Sequence, residues 1–431
     1  MNQTFVLGTG RCTITPPLGT PLYGYSNRRE AVSVNDDLHV TVAAVGYGKA
    51  SAALVNYDLC SVPATLVAEL QGIISEKTGI SRDHIILSCT HTHSGPCLTT
   101  IPGWGDADTD YIENKFIPAT LEALQEAIER VVPVRMGVGT TQSDVGINRR
   151  ELNRAGEVLL GQNPYGLYDP TMTVLSFIAE DGTTVANIVH YGCHGTSAGI
   201  DPIITRDWPG YMVDRMEEIT GATTLFFNGA EGDVGPRLSN GKTTGDISHT
   251  RELGARAATD AVRAYRTIKE YNEVSFRVAV DTIAIPYRKM ASLESLRADA
   301  EAFGDPTGLT GFSKLKYKTL TERIRLLESG ETLETHRYSP QTLFAFNSVV
   351  LVPFPYEMFV EITRRLRVYS PFQHTLSICN TNGAYAYLPS RDQICRGGYE
   401  VMQFLDRNPY ALVDDADDHI INENLRIMEK L

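Results

Sequence analysis

Two histidines, His91 and His93, stand in HIILSCTHTHSGP, directly after an apolar run and before a Gly/Pro turn. If the run is a strand, positions i and i+2 point to the same side, so both imidazoles should face one pocket where the strand ends. Neutral imidazole is a common zinc ligand. The pair therefore predicts a metal site, with a purely structural role as the alternative.

A second apolar run, TTVANIVHYGCHGTS, contains His190 and His194 and is followed by ITRDWPGY. The chain has 10 histidines, so two places where a histidine follows a predicted strand are suggestive of one shared site. His194 lies in the loop-like part beside small residues and is the candidate ligand. His190 lies within the apolar run, and we expect it to be a hydrogen-bonded core histidine.

Asp233 stands in FFNGAEGDVGPR, where an apolar strand end is followed by small residues that allow close backbone approach. An aspartate in such a turn often only accepts hydrogen bonds from backbone amides. The functional alternative is a general base that takes a proton from a metal-bound water, which requires a carboxylate within hydrogen-bond reach. The local sequence alone favours the capping role.

The elements that would position these residues alternate between strand and helix. LHVTVAAVGYG, SAALVNYDL and HIILSCT are β-branched runs typical of strands, and ATLVAELQGIISEKTG has helical spacing. We therefore expect an α/β fold of mixed β-sheets flanked by helices, in a single catalytic domain over residues 1–431. The charged, helix-periodic stretch 291–334 predicts a helical insertion, either a cap over the site or a solvated structural excursion.

The bulk composition limits the class of partner. The 431 residues include 42% hydrophobic and 21% charged residues, which is typical of a globular protein. A net charge of -13 without a dense basic block argues against nucleic acid. No apolar run approaches the roughly 20 residues of a membrane helix, and seven irregularly spaced cysteines fit a reducing compartment. We expect a cytoplasmic protein without stable membrane insertion; a homo-oligomer is possible.

The order of the motifs THTHSGP, CHxTS, D-x-PGY and NGAEGDVGP resembles that of the neutral/alkaline ceramidases. The later half continues the resemblance: Pro355-Tyr356-Glu357 followed by RRLR is similar to the family's P-G-E…RRLR element. Asn382–Tyr387 and the downstream Tyr399-Glu400 are similar to its N-x-Y-x-x-Y element and the Tyr-Glu that follows. The resemblance runs from the N-terminal ITPP…GY segment to about residue 400 and implies a ceramidase-like catalytic domain.

Carried over residue by residue, the resemblance implies a zinc ion held by four side chains, which are His91, His194, Glu357 and Tyr387. It places His93 beside the ligands or in proton transfer, and it makes Asp233 the candidate base. Arg149, in GINRR, matches an Asn-Arg pair whose guanidinium can steady the oxyanion of a tetrahedral intermediate. The alternative for Arg149 is a structural ion pair on the surface.

One departure from the family concerns the substrate. Where ceramidases have a serine two residues beyond the acidic residue of GDVSP, this chain has Gly235. A metal-activated water does not need that hydroxyl, because zinc itself lowers the pKa of water and polarises the carbonyl. We therefore expect a zinc-dependent hydrolase that cleaves an amide or ester bond of a small acylated substrate, and not ceramide.

Other classes remain open at this point. An amidohydrolase barrel also begins with H-x-H after a strand, but eight regular βα units and its later Lys and His ligands are not evident. A serine hydrolase would require a nucleophile elbow of the GxSxG type, which we do not expect here. A binding protein without catalysis is the non-enzyme alternative, although no CxxC pair indicates a structural zinc site.

Overall fold

The computed structural model describes residues 4–25, 29–101 and 106–431. Its strands are β1 (Phe5–Thr13), β2 (Pro21–Leu22), β3 (Arg29–Glu30), β4 (Ser33–Val34), β5 (His39–Tyr47), β6 (Ala52–Tyr57), β7 (Ile85–Cys89), β8 (Val132–Pro133), β9 (Arg135–Gln142), β10 (Gly146–Leu152), β11 (Val158–Asn163), β12 (Thr171–Ile178), β13 (Thr184–Tyr191), β14 (Ile203–Ile204), β15 (Thr223–Asn228), β16 (Val234–Pro236), β17 (Asn272–Glu273), β18 (Phe276–Pro286), β19 (His336–Phe346), β20 (Val349–Pro353), β21 (Glu357–Met358), β22 (His374–Ile378) and β23 (Tyr387–Leu388).

The helices are α1 (Ala64–Thr78), α2 (Thr109–Tyr111), α3 (Ile117–Glu129), α4 (Asp207–Thr220), α5 (Ile247–Arg266), α6 (Leu293–Ala302), α7 (Gly311–Ser329), α8 (Val360–Tyr369), α9 (Arg391–Ile394), α10 (Tyr399–Asp406) and α11 (Ala416–Met428). A π-helical turn, Ile112–Phe116, joins α2 to α3, and short 3-10 turns cover Arg82–His84 and Pro306–Gly308.

Three larger sheets share one core. Their strand orders are β7-β6-β5-β1-β8, β15-β13-β12-β9-β17 and β18-β19-β20-β22. Each contributes buried side chains to the same apolar cluster, for example Leu54, Phe177 and Phe346. Removing such side chains from water is the main favourable term in folding. The predicted α/β class with mixed sheets is confirmed.

Helices cover the other face of each sheet. Helices α1 and α3 pack on the first sheet, α4 and α5 on the second, and α8 and α11 on the third. In α5 the buried apolar residues Leu253, Ala257 and Ala261 recur every four positions, which places them on one side of the helix. The sheets are therefore held between the shared core and an outer layer of helices.

Each larger sheet contains one parallel strand pair, and the pairs end near one another. These pairs are β6 with β7, β13 with β15, and β20 with β22. Asn228, at the end of β15, connects all three ends: its Nδ2 donates to the carbonyls of Thr90 and Cys193, and its own carbonyl accepts from Cys379. In α/β sheets, ligands bind outside the carboxyl ends of parallel strands. The fold thus indicates where a site should lie.

The predicted elements are found where the sequence places them. The three apolar runs of the first half form β5, β6 and β7, and the helix-periodic segment after them forms α1. The stretch 291–334 contains α6 and α7, between β18 and β19. The three larger sheets, as traced over the described residues, do not form the closed parallel barrel of the amidohydrolase alternative. The described part of the chain also contains no helix long and apolar enough to cross a bilayer.

Candidate metal centre

His91 and His93 lie side by side directly after β7. Their ring centroids are 4.9 Å apart, and their Nε2 atoms are separated by 3.3 Å. The prediction that strand alternation points both rings to one side is wrong, because β7 ends at Cys89, before either histidine. His91 instead has a φ of 67°, in the left-handed region that non-glycine residues seldom adopt. A backbone turn, and not strand geometry, brings the two rings together.

His194 follows β13 and completes a cluster of three histidine rings. Its ring centroid lies 4.7 Å from that of His91 and 5.7 Å from that of His93. His190 lies within β13, where its Nε2 is hydrogen-bonded to the carbonyl of Ser377 at 2.8 Å. Of the two histidines in this segment, the structure therefore brings His194 to the cluster and leaves His190 in the core, as predicted.

Glu357 and Tyr387 reach the same cluster from a short parallel ladder. Strands β21 and β23 pair so that Glu357 lies opposite Tyr387. Glu357 Oε2 is 3.0 Å from His194 Nε2 and 3.4 Å from His91 Nε2. The Tyr387 ring stacks on the His194 ring, with centroids 6.4 Å apart and an interplanar angle of 17°. The four side chains that the resemblance implies as ligands are therefore neighbours.

Lone pairs converge at the centre of this cluster. His91 Nδ1 lies 2.9 Å from the carbonyl of Cys60, and His194 Nδ1 lies 2.7 Å from the carbonyl of Glu231. Since carbonyl oxygens only accept, each Nδ1 carries the proton and, in the neutral ring, each Nε2 carries a lone pair. Both Nε2 atoms and Glu357 Oε2 lie within 4.8 Å of one another.

These atoms fit a divalent cation. Among the described residues, neither His194 Nε2 nor Glu357 Oε2 makes a hydrogen bond, although both atoms are buried. Buried acceptors that face each other without a donor are costly unless a positive charge lies between them. Two imidazoles and a carboxylate form a donor set that zinc accepts, with positions left for another ligand.

The pKa values also favour a positive charge here. Burial lowers the pKa of His194 to about 3, so this ring is neutral at neutral pH. Burial opposes ionisation of Glu357, but His91 and His194 outweigh that effect and hold the pKa of Glu357 well below its ordinary value. Burial lowers the pKa of His91, whereas Cys60 and Glu357 outweigh it and raise that pKa well above the ordinary value. Either a proton shared by His91 and Glu357 or a bound cation would supply this positive charge.

Arg149 is buried beside Tyr387. Its Cζ lies 5.3 Å from the Tyr387 ring centroid, and its Nε donates to Glu400 at 2.8 Å. Arg150 donates to the other oxygen of Glu400 at 2.7 Å, so one carboxylate serves two guanidinium groups. The alternative of a structural ion pair is found, with Glu400 as the partner, but it does not lie on the surface, because Arg149 is only 5% exposed. Its Nη2 is buried without a partner among the described residues, which leaves a donor available to a bound molecule.

Asp233 lies between β15 and β16, and its carboxylate contacts the start of α8. Its Oδ1 accepts from the backbone amide of Val360 at 2.9 Å, and its Oδ2 lies 3.4 Å from Asn148 Nδ2. Burial raises the pKa of Asp233 to about 7. The contact with Val360 is of the capping kind that the local sequence favours. The general-base role of Asp233 stays a prediction.

Glu231 is a buried carboxylate near the cluster that sequence analysis missed. Its Oε1 accepts from Asn380 Nδ2 at 2.5 Å, and its Oε2 has no hydrogen-bond partner among the described residues. Burial raises the pKa of Glu231 to about 8; His91 opposes this shift and Glu357 adds to it. The available signal was a glutamate within a run of small residues at a strand end, in NGAEGD.

Gly235 has no space for the serine that the ceramidase motif carries. A Cβ built on Gly235 would lie 2.7 Å from Thr243 Cγ2 and 2.8 Å from Thr243 Cβ, closer than carbon atoms approach in proteins. Thr243 is itself buried, and its carbonyl accepts from Thr196 Oγ1 at 2.9 Å. The side chain of Thr243 therefore occupies the place into which a residue-235 side chain would extend.

We expect Gly235→Ser to lower the free energy of unfolding by about 1–3 kcal/mol, because it overpacks this contact. Thr243→Gly removes both clashing atoms, so the serine should cost less than half as much in that background. Urea denaturation of the two single variants and the double variant measures this coupling. An equal cost of Gly235→Ser with and without Thr243 would contradict the steric explanation.

Ser197 lies in a GxSxG sequence, which the sequence analysis did not expect, but it is not placed as the nucleophile of a serine hydrolase. Gly195–Gly199 does match the pattern GxSxG. Ser197 is fully buried, however; its hydroxyl donates to the Asp207 carboxylate and lies 3.1 Å from Thr250 Oγ1. The segment follows β13 without a strand–turn–helix elbow, and a nucleophile must be exposed at such an elbow. Ser197 is a structural residue of the loop.

The sequence and the fold are both similar to those of neutral ceramidases. The chain is 25% identical to the neutral ceramidase of Pseudomonas aeruginosa over 244 residues, which cover 53% of this chain and 33% of that protein. The aligned segment thus spans about a third of the relative. No family model matches the chain.

Solved structures show the same fold over the whole chain. The crystal structure of neutral ceramidase from Pseudomonas aeruginosa matches with a TM-score of 0.77 at 18% identity, covering 100% of this chain and 75% of that one. A ceramidase complexed with C2 matches with a TM-score of 0.74 at 17% identity, covering 100% and 76%. The resemblance predicted from the order of the motifs is therefore confirmed.

Proposed function

We propose that this protein is a metal-dependent hydrolase that cleaves an amide or ester bond in a small acylated molecule. The observation that carries the proposal is the convergence of the His91 and His194 lone pairs on Glu357 Oε2, within 4.8 Å. The similarity to a protein named neutral ceramidase supports hydrolysis as the reaction class. We propose zinc as the ion, held by these three side chains and Tyr387.

A bound zinc ion would supply Lewis acidity and lower the pKa of water towards about 7. His93 is the residue that we propose to accept the proton, because its Nε2 lies 3.3 Å from His91 Nε2. Burial and the neighbouring His91 and His194 lower the pKa of His93 well below its ordinary value, so the ring is neutral at neutral pH. Asp233 remains the second candidate.

Arg149 is proposed to steady the negative charge that develops on the carbonyl oxygen. Its unpartnered Nη2 is a buried donor, and its Nε is fixed by Glu400. A donor that is already oriented stabilises an oxyanion without reorganisation, and one such donor contributes about 10²–10³-fold to kcat in known hydrolases. The ion pair with Glu400 thus has a positioning role.

We do not propose ceramide as the substrate. Gly235 lacks the serine hydroxyl of the ceramidase motif, and Thr243 fills the space beside it. His91 and Glu357 line a small cavity, and we propose that the acyl group of the substrate enters there. The seven cysteines are unpaired, which supports a reducing, cytoplasmic location.

The test combines elemental analysis with a panel of N-acyl and O-acyl substrates. We expect about one zinc ion per chain, turnover of at least one short-chain substrate, loss of turnover with a chelator and recovery on adding zinc back. A protein that contains zinc but hydrolyses no member of the panel would support the binding-protein alternative. Turnover that survives complete removal of the metal would refute the proposal.

A further inference from the structure

Arg407 places a second cation at the cavity beside the candidate metal centre. It lines the same small cavity as His91 and Glu357. Its Nη2 donates to the hydroxyl of Tyr23 at 3.1 Å, and within the described residues no carboxylate lies at ion-pair distance from it. The neighbouring Asp406 does not compensate it, because that carboxylate is paired with other side chains. The charge of Arg407 is therefore open to a ligand.

Three other arginines near the cluster add to this positive charge. Arg149 and Arg150 share the single carboxylate of Glu400, so that group of three carries a net positive charge. Arg29 is buried, and its guanidinium donates to the carbonyl of His93 at 2.7 Å without a carboxylate partner among the residues described. Glu357 and Glu400 offset part of this charge, whereas Arg407 has no carboxylate at ion-pair distance within the described residues. A guanidinium without an ion-pair partner can bind an anion.

The insertion between β18 and β19 holds Arg407 in place. Thr319 Oγ1, in α7, donates to the Arg407 carbonyl at 3.2 Å. Arg323, one turn further along α7, donates to the carbonyls of Leu405, Asn408 and Pro409 at 2.5, 3.1 and 2.9 Å. The backbone on both sides of Arg407 is thus fixed before any ligand binds, and a fixed donor loses little entropy on binding.

Tyr23 completes the arrangement. Its hydroxyl oxygen accepts from Arg407, so its own hydrogen remains available to a second acceptor. Burial raises the pKa of Tyr23 to about 12, which keeps the phenol protonated at neutral pH. Leu315 of α7 packs in one apolar cluster with Tyr23 and Cys60, so the same helix also positions this donor.

We propose that Arg407 and Tyr23 bind a carboxylate of the substrate, which makes the substrate an acylated amino acid or hydroxy acid. The inference rests on the proposed function and names its substrate class. Arginine presents a planar fork that matches a carboxylate, and Arg407 presents it at the cavity that His91 and Glu357 line. The carboxylate would hold the acylated end beside His91 and Glu357.

Matched compounds test the inference. Each N-acetyl amino acid of a panel is compared with the analogue in which a methyl group replaces the carboxylate, such as N-acetylalanine and N-isopropylacetamide. We expect the zinc-loaded protein to prefer the carboxylate member by about 100-fold or more in kcat/KM. Arg407→Gln should reduce this ratio below about 10-fold, and Arg407→Lys, which keeps the charge without the fork, should give an intermediate ratio. Equal turnover of both members, or an unchanged ratio in Arg407→Gln, would overturn the inference.

Binding is measured in parallel, so that a failure of hydrolysis is distinguishable from a failure of the carboxylate site. Calorimetry should show that the carboxylate members bind the zinc-loaded protein and bind Arg407→Gln at least tenfold more weakly. Arg325→Gln, which removes an exposed arginine from α7, is the matched control and should bind like the parent. If no carboxylate member binds the parent protein, the inference is wrong whether or not the protein is a hydrolase.

Discussion

His91→Ala should release the bound divalent ion and lower turnover by about 10³-fold or more. Without this imidazole, Glu357 Oε2 loses one of its two close imidazole neighbours and keeps His194 Nε2 at 3.0 Å. A metal ion contributes several kcal/mol to such a reaction, and about 1.4 kcal/mol corresponds to a tenfold change in rate. Elemental analysis of the purified variant and kcat/KM on the substrate panel measure the two effects.

The matched control for this prediction is His336→Ala. His336 lies at the start of β19, is partly exposed and is hydrogen-bonded to Thr335. The same change of residue type there should leave both the metal content and the turnover as in the parent protein. A full complement of zinc in His91→Ala would remove this residue from the ligand set.

His93→Gln should keep the metal and lower kcat by about 10²–10⁴-fold, the range that a general base contributes. His93 lies against the cluster through His91, but the unpartnered His194 Nε2 and Glu357 Oε2 are provided by other residues. The variant therefore separates proton transfer from metal binding. Metal analysis together with kcat at saturating substrate measures each of them.

Asp233→Asn, measured in the same assays as His93→Gln, decides between the two candidate proton acceptors. We expect a loss of less than about tenfold, because the Asp233 carboxylate contacts Val360 and Asn148, and an asparagine oxygen can still accept from the Val360 amide. The reverse order, with a large loss in Asp233→Asn and a small one in His93→Gln, would assign the base to Asp233.

Much of the fold could be predicted from the sequence because its signals are local. Strands β5, β6 and β7 are short β-branched runs, and α1 has helical spacing, so neighbouring residues alone indicate them. The packing of three sheets around one core depends on contacts between distant segments, and periodicity carries no such information. Asn228 illustrates this: it is a single residue at the end of β15, yet its hydrogen bonds connect the ends of three sheets.

The site could be predicted only in part from the residues themselves. His91 and His194 follow apolar runs, so each has a local signal. Glu357 and Tyr387 lie in strands of two residues, which are too short to show a period, and only the order of the family motifs indicated them. Arg407 had no signal at all, because its importance depends on the cavity that it shares with residues far away in the chain.

The short ladder between β21 and β23 has a consequence for how the protein matures. In the proposed ligand set, His91 and His194 lie in the first half of the chain and are synthesised first. Glu357 and Tyr387 lie in the last quarter. The complete proposed ligand set therefore exists only once the chain has been made as far as Tyr387. A product truncated before Glu357 would lack half of it.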